Sequence, residues 1–123
     1  MFQPEVVEVK ECSKDIFLLR FYEPYIAQHS KSGQFVEIVA PRRNDILWRR
    51  PFSIHNTDST SGMVDILFHA VGRGTEALAH LEKGEQLDIL GPLGRSFFYD
   101  NNLQEAILVA GGLGIAPFKL MHQ

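Results

Sequence analysis

Met63-Val64-Asp65-Ile66-Leu67-Phe68-His69-Ala70-Val71-Gly72-Arg73-Gly74-Thr75-Glu76 is the stretch on which the fold turns. Strict alternation puts Val64, Ile66, Phe68 and Ala70 on one face and Asp65, Leu67, His69 and Val71 on the other. A period of two is that of a β-strand, so 63–71 is expected to be one, with the first face in a core and the second meeting solvent or a ligand. The period then changes. Thr75 is a candidate N-cap, Glu76 suits a first helical turn, and Ala77, Leu78 and Leu81 take helical spacing before Lys83-Gly84 closes it. Gly72 and Gly74 admit two readings. They let a ligand's phosphate approach the start of a helix, or they supply a turn that needs positive φ.

Working outward, the same short strands recur. Val6, Val7 and Val9 open one, 16–21 make a second, and 35–39 a third, entered through Ser32-Gly33 and closed by Pro41. A fourth begins at Phe52-Ser53-Ile54 and is expected to break at the turn formers Asn56-Thr57-Asp58-Ser59-Thr60-Ser61-Gly62. A sixth, 86–90, runs into the tight turn Gly91-Pro92-Leu93-Gly94. Short strands at near-regular spacing with one helix describe an all-β fold, a small barrel or sandwich, over 1–100. After Asp100-Asn101-Asn102 the pattern changes again. Ala106-Ile107-Leu108-Val109-Ala110 is apolar without alternation, like a strand buried on both faces of a parallel sheet. Gly111-Gly112-Leu113-Gly114 and Ile115-Ala116-Pro117-Phe118 then read as the glycine turn and helix that open a nucleotide-binding α/β domain. Residues 101–123 are therefore expected to begin a second domain that is cut short. The tail from about residue 101, with its unpaired apolar strand, is expected to fold back on the barrel or pair with a second copy as a homodimer.

Composition narrows the function. The chain has 123 residues, 45% hydrophobic and 22% charged, with a net charge of -3. That is ordinary globular composition, and the acidic balance argues against nucleic acid as a partner. One cysteine, Cys12, excludes a disulfide framework, a four-cysteine zinc site or an all-cysteine iron–sulfur cluster within this stretch. Cys12 is expected to be a buried or half-buried apolar residue. No apolar run approaches the ~18 residues of a membrane span. Met1-Phe2-Gln3-Pro4-Glu5 lacks the basic and apolar parts of a secretory signal, so a cytoplasmic protein with no membrane partner is expected.

The chemistry-bearing candidates are few. In Arg49-Arg50-Pro51-Phe52-Ser53, Pro51 biases Arg50 towards an extended form, so a guanidinium stands at a strand start, where it can hold a phosphate. Phe52 offers a ring and Ser53 a hydroxyl to a flat heteroaromatic ligand. The alternative is a surface arginine pair beside a core phenylalanine. Gly111-Gly112-Leu113-Gly114 falls short of a full dinucleotide fingerprint. His29, His55, His69, His80 and His122 make no metal pattern, and Asp15, Asp45, Asp65 and Asp88 no acid–base pair. No side-chain catalyst is visible, so any chemistry belongs to a bound cofactor.

Taken in order, Arg50-Pro51-Phe52-Ser53, Leu67-Phe68-His69, Gly72-Arg73-Gly74-Thr75, Gly91-Pro92-Leu93-Gly94 and Gly111-Gly112-Leu113-Gly114-Ile115-Ala116-Pro117 resemble the ferredoxin–NADP reductase superfamily. Within it, Leu87-Asp88-Ile89-Leu90-Gly91-Pro92-Leu93-Gly94-Arg95-Ser96-Phe97 is most like the electron-transfer subunits of bacterial dihydroorotate dehydrogenases. The resemblance implies a six-stranded antiparallel Greek-key barrel that binds FAD, followed by a nicotinamide-nucleotide domain. It implies that Arg50 pairs with the FAD pyrophosphate, that Phe52, after Pro51, packs on the isoalloxazine, and that Ser53 bonds near its redox-active nitrogen. Leu67, Phe68 and His69 would line the flavin, and Gly74 and Thr75 would contact the pyrophosphate. His69 stands where the family often has arginine. Beyond this stretch the resemblance implies NAD(P)H as donor, a [2Fe-2S] cluster and a catalytic dihydroorotate dehydrogenase partner in pyrimidine biosynthesis. A sulfide dehydrogenase or hydrogenase subunit, and a barrel that has lost flavin and only packs on a partner, are the competing readings.

Overall fold

A computed structural model describes residues 1–39, 48–100 and 102–122. Pro41, Asp45, Asn101 and Gln123, which the sequence reading used as a strand stop, an unpaired acid, a break and an end, lie outside the described residues. Strands β1 (Glu5–Ser13), β2 (Ile16–Tyr22), β3 (Phe35–Val39), β4 (Arg50–Asp58), β5 (Met63–His69) and β6 (Asp88–Leu93) form one sheet, ordered β1-β2-β5-β4-β3-β6. Every pairing between them is antiparallel. β3, β4 and β5 form a meander and β2 returns beside β5, which is a Greek key. Bridges Phe2↔Ile89 and Glu5↔Gln86 bring the first residues against β6. The sheet thus closes into the expected barrel, and closure leaves no open edge between β1 and β6.

β5 behaves as its alternation requires. Val64, Ile66 and Phe68 are buried in the core, opposite Leu19 and Phe21 of β2. Asp65, on the other face, is also buried, at 2% exposure. Arg20 covers it with two hydrogen bonds, Nε to Oδ1 at 2.6 Å and Nη2 to Oδ2 at 2.9 Å, and Asn56 adds a third. The bond to Asp65 raises the Arg20 pKa above its ordinary value.

Several expectations are corrected. A second helix, α1 (Pro24–His29), follows β2. Proline at its first turn and the Glu23 carboxylate accepting from Tyr25 N at 3.2 Å start it, but six residues are too few for a readable period. β4 does not break at Asn56. It continues to Asp58 because Asn56 and Thr57 pair with Asp65 and Val64, and only Asp58 turns the chain, accepting from Thr60 N, Ser61 N and Ser61 Oγ. β6 extends through Gly91 and Pro92, joined by a cis peptide, to Leu93, which pairs with Phe35. Gly91 is required by packing, since a methyl group there would lie 2.6 Å from Val36 Cγ1. Cys12, near the end of β1, is exposed rather than buried.

The largest departure is at 106–110. This segment joins no strand, and Ile107 and Val109 are 92% and 84% exposed. A buried parallel strand needs a neighbour on each side, and the described residues supply none. The 3-10 helix Gly112–His122 does fold back on the barrel, burying Ala116 and Leu120. No described helix is long and apolar enough to cross a membrane.

Candidate functional site

β4 is shared between two partners. Its first half pairs with β3 only (Arg50↔Ile38 to Ser53↔Phe35), and its pairing with β5 begins at Ile54↔Ile66. Beyond that point Leu67, Phe68 and His69 pair with β2 alone. The two neighbouring strands therefore part at the end that carries 50–53 and 67–69. Pro51 suits such a place, because it has no N–H to give to a ladder on the β5 side. The parted ends form a cleft between two backbone edges.

Phe52 and Phe68 make its floor. They meet edge to face with ring centroids 5.8 Å apart, and Phe68 stacks on Phe17 at 5.9 Å. At 9% and 2% exposure both belong to the core. Direct lining of a ligand by Phe68 is thus corrected to support from beneath, and Phe52 keeps only a small exposed fraction. The reason is parity: Phe52 shares the inward face with Ile54, as Phe68 does with Ile66. Pro51 and His69 are exposed, and Ser53 and Leu67 are half-buried. The side chains of Ser53 and His69 make no hydrogen bond among the described residues, which leaves their polar atoms available to a ligand.

Arg50 and Gly74 come together at one mouth of this cleft. Gly74 is buried in α2 (Arg73–Ala79), whose N-cap is Gly72 rather than Thr75. Neither Gly72 nor Gly74 has positive φ, so the turn reading of the two glycines falls. Gly74 is required for closeness instead. A methyl group on its α-carbon would lie 2.6 Å from both Arg50 Nε and Nη1. Arg50 itself donates only to the Trp48 carbonyl, at 3.2 Å, and faces no carboxylate among the described residues. The contrast with Arg49 is sharp. Arg49 Nη2 bonds both oxygens of Asp88 at 2.8 Å and ties the start of β4 to β6. The sequence alone could not tell these two arginines apart by partner.

Thr75 is corrected as well. Its hydroxyl accepts from Val71 N at 3.0 Å and Gly72 N at 3.1 Å and donates to the Gly72 carbonyl at 3.0 Å. One donor and two acceptors exhaust a hydroxyl. The Thr75 hydroxyl therefore shapes the loop before α2 and is not left for a phosphate, whereas the first intrahelical bond runs from Glu76 N to the Gly72 carbonyl and leaves the first-turn N–H groups of Gly74 and Thr75 ahead of it for a ligand. Among the described residues no three His, Cys, Asp or Glu side chains gather as a metal site. His29 and His80 donate to carbonyls one turn back in their own helices.

A closed Greek-key barrel with an arginine and a buried glycine side by side at the mouth of an aromatic-floored cleft defines a cofactor-binding barrel. Residues 3–99 match the oxidoreductase FAD-binding domain family, and the chain belongs to that family. It is 35% identical over 123 residues to the dihydroorotate dehydrogenase B (NAD(+)) electron transfer subunit of Desulforamulus reducens, covering all of this chain and 47% of that protein. The Bacillus cereus protein of the same name is 38% identical over 120 residues, 96% of this chain and 46% of that one. The chain thus spans about half the length of the curated relatives it matches. Among solved structures, the ferredoxin reductase of carbazole 1,9a-dioxygenase aligns over 97% of this chain and 37% of its own, with a TM-score of 0.81 and 24% identity. Phthalate dioxygenase reductase aligns over 98% and 38%, with a TM-score of 0.74 and 22% identity. At that identity these neighbours speak for the ferredoxin-reductase-like fold alone.

Proposed function

We propose that the cleft between β4 and β5 holds FAD, with Arg50 on the pyrophosphate and Gly74 leaving the room that phosphate needs beside the guanidinium. The observation that carries this reading is the Arg50–Gly74 pair. A charged side chain that faces no carboxylate among the described residues lies so close to the Gly74 α-carbon that a side chain there would displace it. Guanidinium binds phosphate through two parallel N–H bonds, which suits it to this task. Ser53 offers its hydroxyl to the flavin ring, Leu67 and His69 border it, and Phe52 and Phe68 stiffen the floor. Pro51 keeps the β4 edge open. FAD, when bound, supplies the exchange between a two-electron donor and one-electron acceptors; the chain's residues bind and orient it.

The chain is the FAD-binding domain of an oxidoreductase resembling dihydroorotate dehydrogenase electron transfer subunits. The finer reading extends to the longer protein. There 101–123 opens the nicotinamide-nucleotide domain, NAD(P)H is the donor, a [2Fe-2S] cluster lies further along, and a catalytic dihydroorotate dehydrogenase subunit in pyrimidine biosynthesis is the partner. The names of the relatives support the nicotinamide donor and the dihydroorotate dehydrogenase partner, the share of their length covered supports a longer protein, and the cluster and the pathway rest on the family resemblance alone. The test is a flavin titration of the 123-residue chain, followed by flavin fluorescence. Saturable binding that Arg50→Ala weakens supports the assignment; absence of binding by the folded chain refutes it.

A further inference from the structure

β4 carries a bulge at His55. Its ladder with β5 passes from Ile54↔Ile66 directly to Asn56↔Asp65, so His55 has no partner in the register. An extra residue bends a strand and re-aims a side chain. Here the half-buried imidazole leaves the sheet, and Nδ1 lies 2.7 Å from the Ala116 carbonyl. A carbonyl only accepts, so Nδ1 carries the proton. Ala116 is buried, halfway along Gly112–His122. A second point of attachment lies close by: Phe118 meets Phe97 with ring centroids 5.9 Å apart, and Phe97 N donates to the Ser32 carbonyl at 2.9 Å. A cavity of about 480 Å³ is lined by the imidazole and Phe118 together with Leu108, Ala110, Ile115 and Lys119.

Position makes this bond more than a surface contact. His55 is two residues after Ser53 on the same strand, and Ala116 is two residues after the glycine loop 111–114. The imidazole therefore spans the distance between the strand that borders the cleft and the loop that the sequence marks for nucleotide chemistry. We infer that His55 is a positioning residue: its bond to the Ala116 carbonyl fixes the 112–122 helix, and with it the 111–114 loop, at a set distance from Ser53. The bond itself stands on geometry. Its functional meaning rests on the reading of Ser53 as a flavin contact.

Hydrogen exchange on the full 123-residue chain tests it, with His55→Ala and His55→Asn beside the wild type. Losing one net hydrogen bond should speed exchange across 112–122 roughly fivefold in His55→Ala while β1 and β2 keep their rates. Asparagine places an amide N–H close to where Nδ1 stood, so His55→Asn should return to within about twofold of the wild type. Unchanged exchange in His55→Ala overturns the inference. So does a rise that spreads equally to β1 and β2, which marks general destabilisation, and so does a failure of His55→Asn to restore protection. The exchange measurement needs no flavin. A parallel titration of the same proteins with FAD separates the two readings, because a wild type that binds no FAD yet shows the exchange pattern refutes the cofactor assignment and leaves the His55 bond standing.

Discussion

Replacing Gly74 with alanine should separate binding from folding. The added methyl group would lie 2.6 Å from Arg50 Nε and Nη1, closer than side-chain carbons come to such atoms, so the guanidinium must swing away. The backbone raises no objection, because Gly74 is not among the positive-φ glycines. Alanine also favours a helix over glycine, by up to ~1 kcal/mol in a helix interior and less near an end. Stability should therefore hold or rise slightly. FAD affinity should fall in the opposite sense. A charge-assisted hydrogen bond to a phosphate is worth ~1.5–3 kcal/mol, or about one to two decades in Kd. Thermal unfolding of the flavin-free protein and a fluorescence titration with FAD read the two quantities separately. A Gly74→Ala protein that folds normally and binds FAD as tightly as the wild type would show that closeness at Arg50 serves only packing.

Four further variants have expected outcomes. Arg50→Ala should weaken FAD by about one to two decades and leave the melting temperature nearly unchanged. Arg49→Ala should do the reverse, removing a half-exposed pair with Asp88 worth at most ~1 kcal/mol while FAD affinity stays the same; equal losses of affinity in both would remove Arg50 from the site. Arg20→Ala strands the buried Asp65 with Asn56 alone, and urea denaturation should show a loss of roughly 2–3 kcal/mol, below the value for a fully buried pair because Arg20 is partly exposed. The Asp58 pKa lies below its ordinary 3.8, chiefly through the Ser61 hydroxyl and then the Ser61 and Thr60 N–H groups. A lowered folded-state pKa stabilises above the unfolded value and is lost as pH falls through the folded one, so Asp58→Asn should flatten part of the acid limb of a pH–stability curve below about 4. An unaltered limb would mean the turn holds without the carboxylate.

What could be read in the chain was local. The alternation of 63–69 assigned β5 and its core face, because a period of two carries its own orientation wherever the strand is placed. The change of period at Gly72 marked a helix, and Arg50-Pro51-Phe52-Ser53 marked the strand start beside it. Where that reading failed, the deciding atoms were ones a pattern of residue types does not place, whether a few residues away or on another strand. Thr75 looked free for a ligand until the backbone of Val71 and Gly72 folded onto its hydroxyl. The resemblance made Phe68 a wall of the site, whereas the alternation of β5 already put it on the core face, and the structure packs it there on Phe17 and Phe52. Asn56 and Thr57 carry turn chemistry, yet cross-strand pairing with β5 overrode it.

The sequence by itself determined most of the strands, the second helix and an all-β class, since propensity and periodicity act over a few neighbouring residues; the barrel among all-β folds came with the family resemblance. Tertiary structure decided which arginine is paired among the described residues. Asp88 is 39 residues from Arg49 and claims it, whereas Gly74, 24 residues from Arg50, offers no side chain, and Arg50 faces no carboxylate among the described residues. The same holds at 106–110, where an apolar run written like a buried strand stays unpaired. A strand is completed by hydrogen bonds to its neighbours, and no segment states on its own whether those neighbours are there.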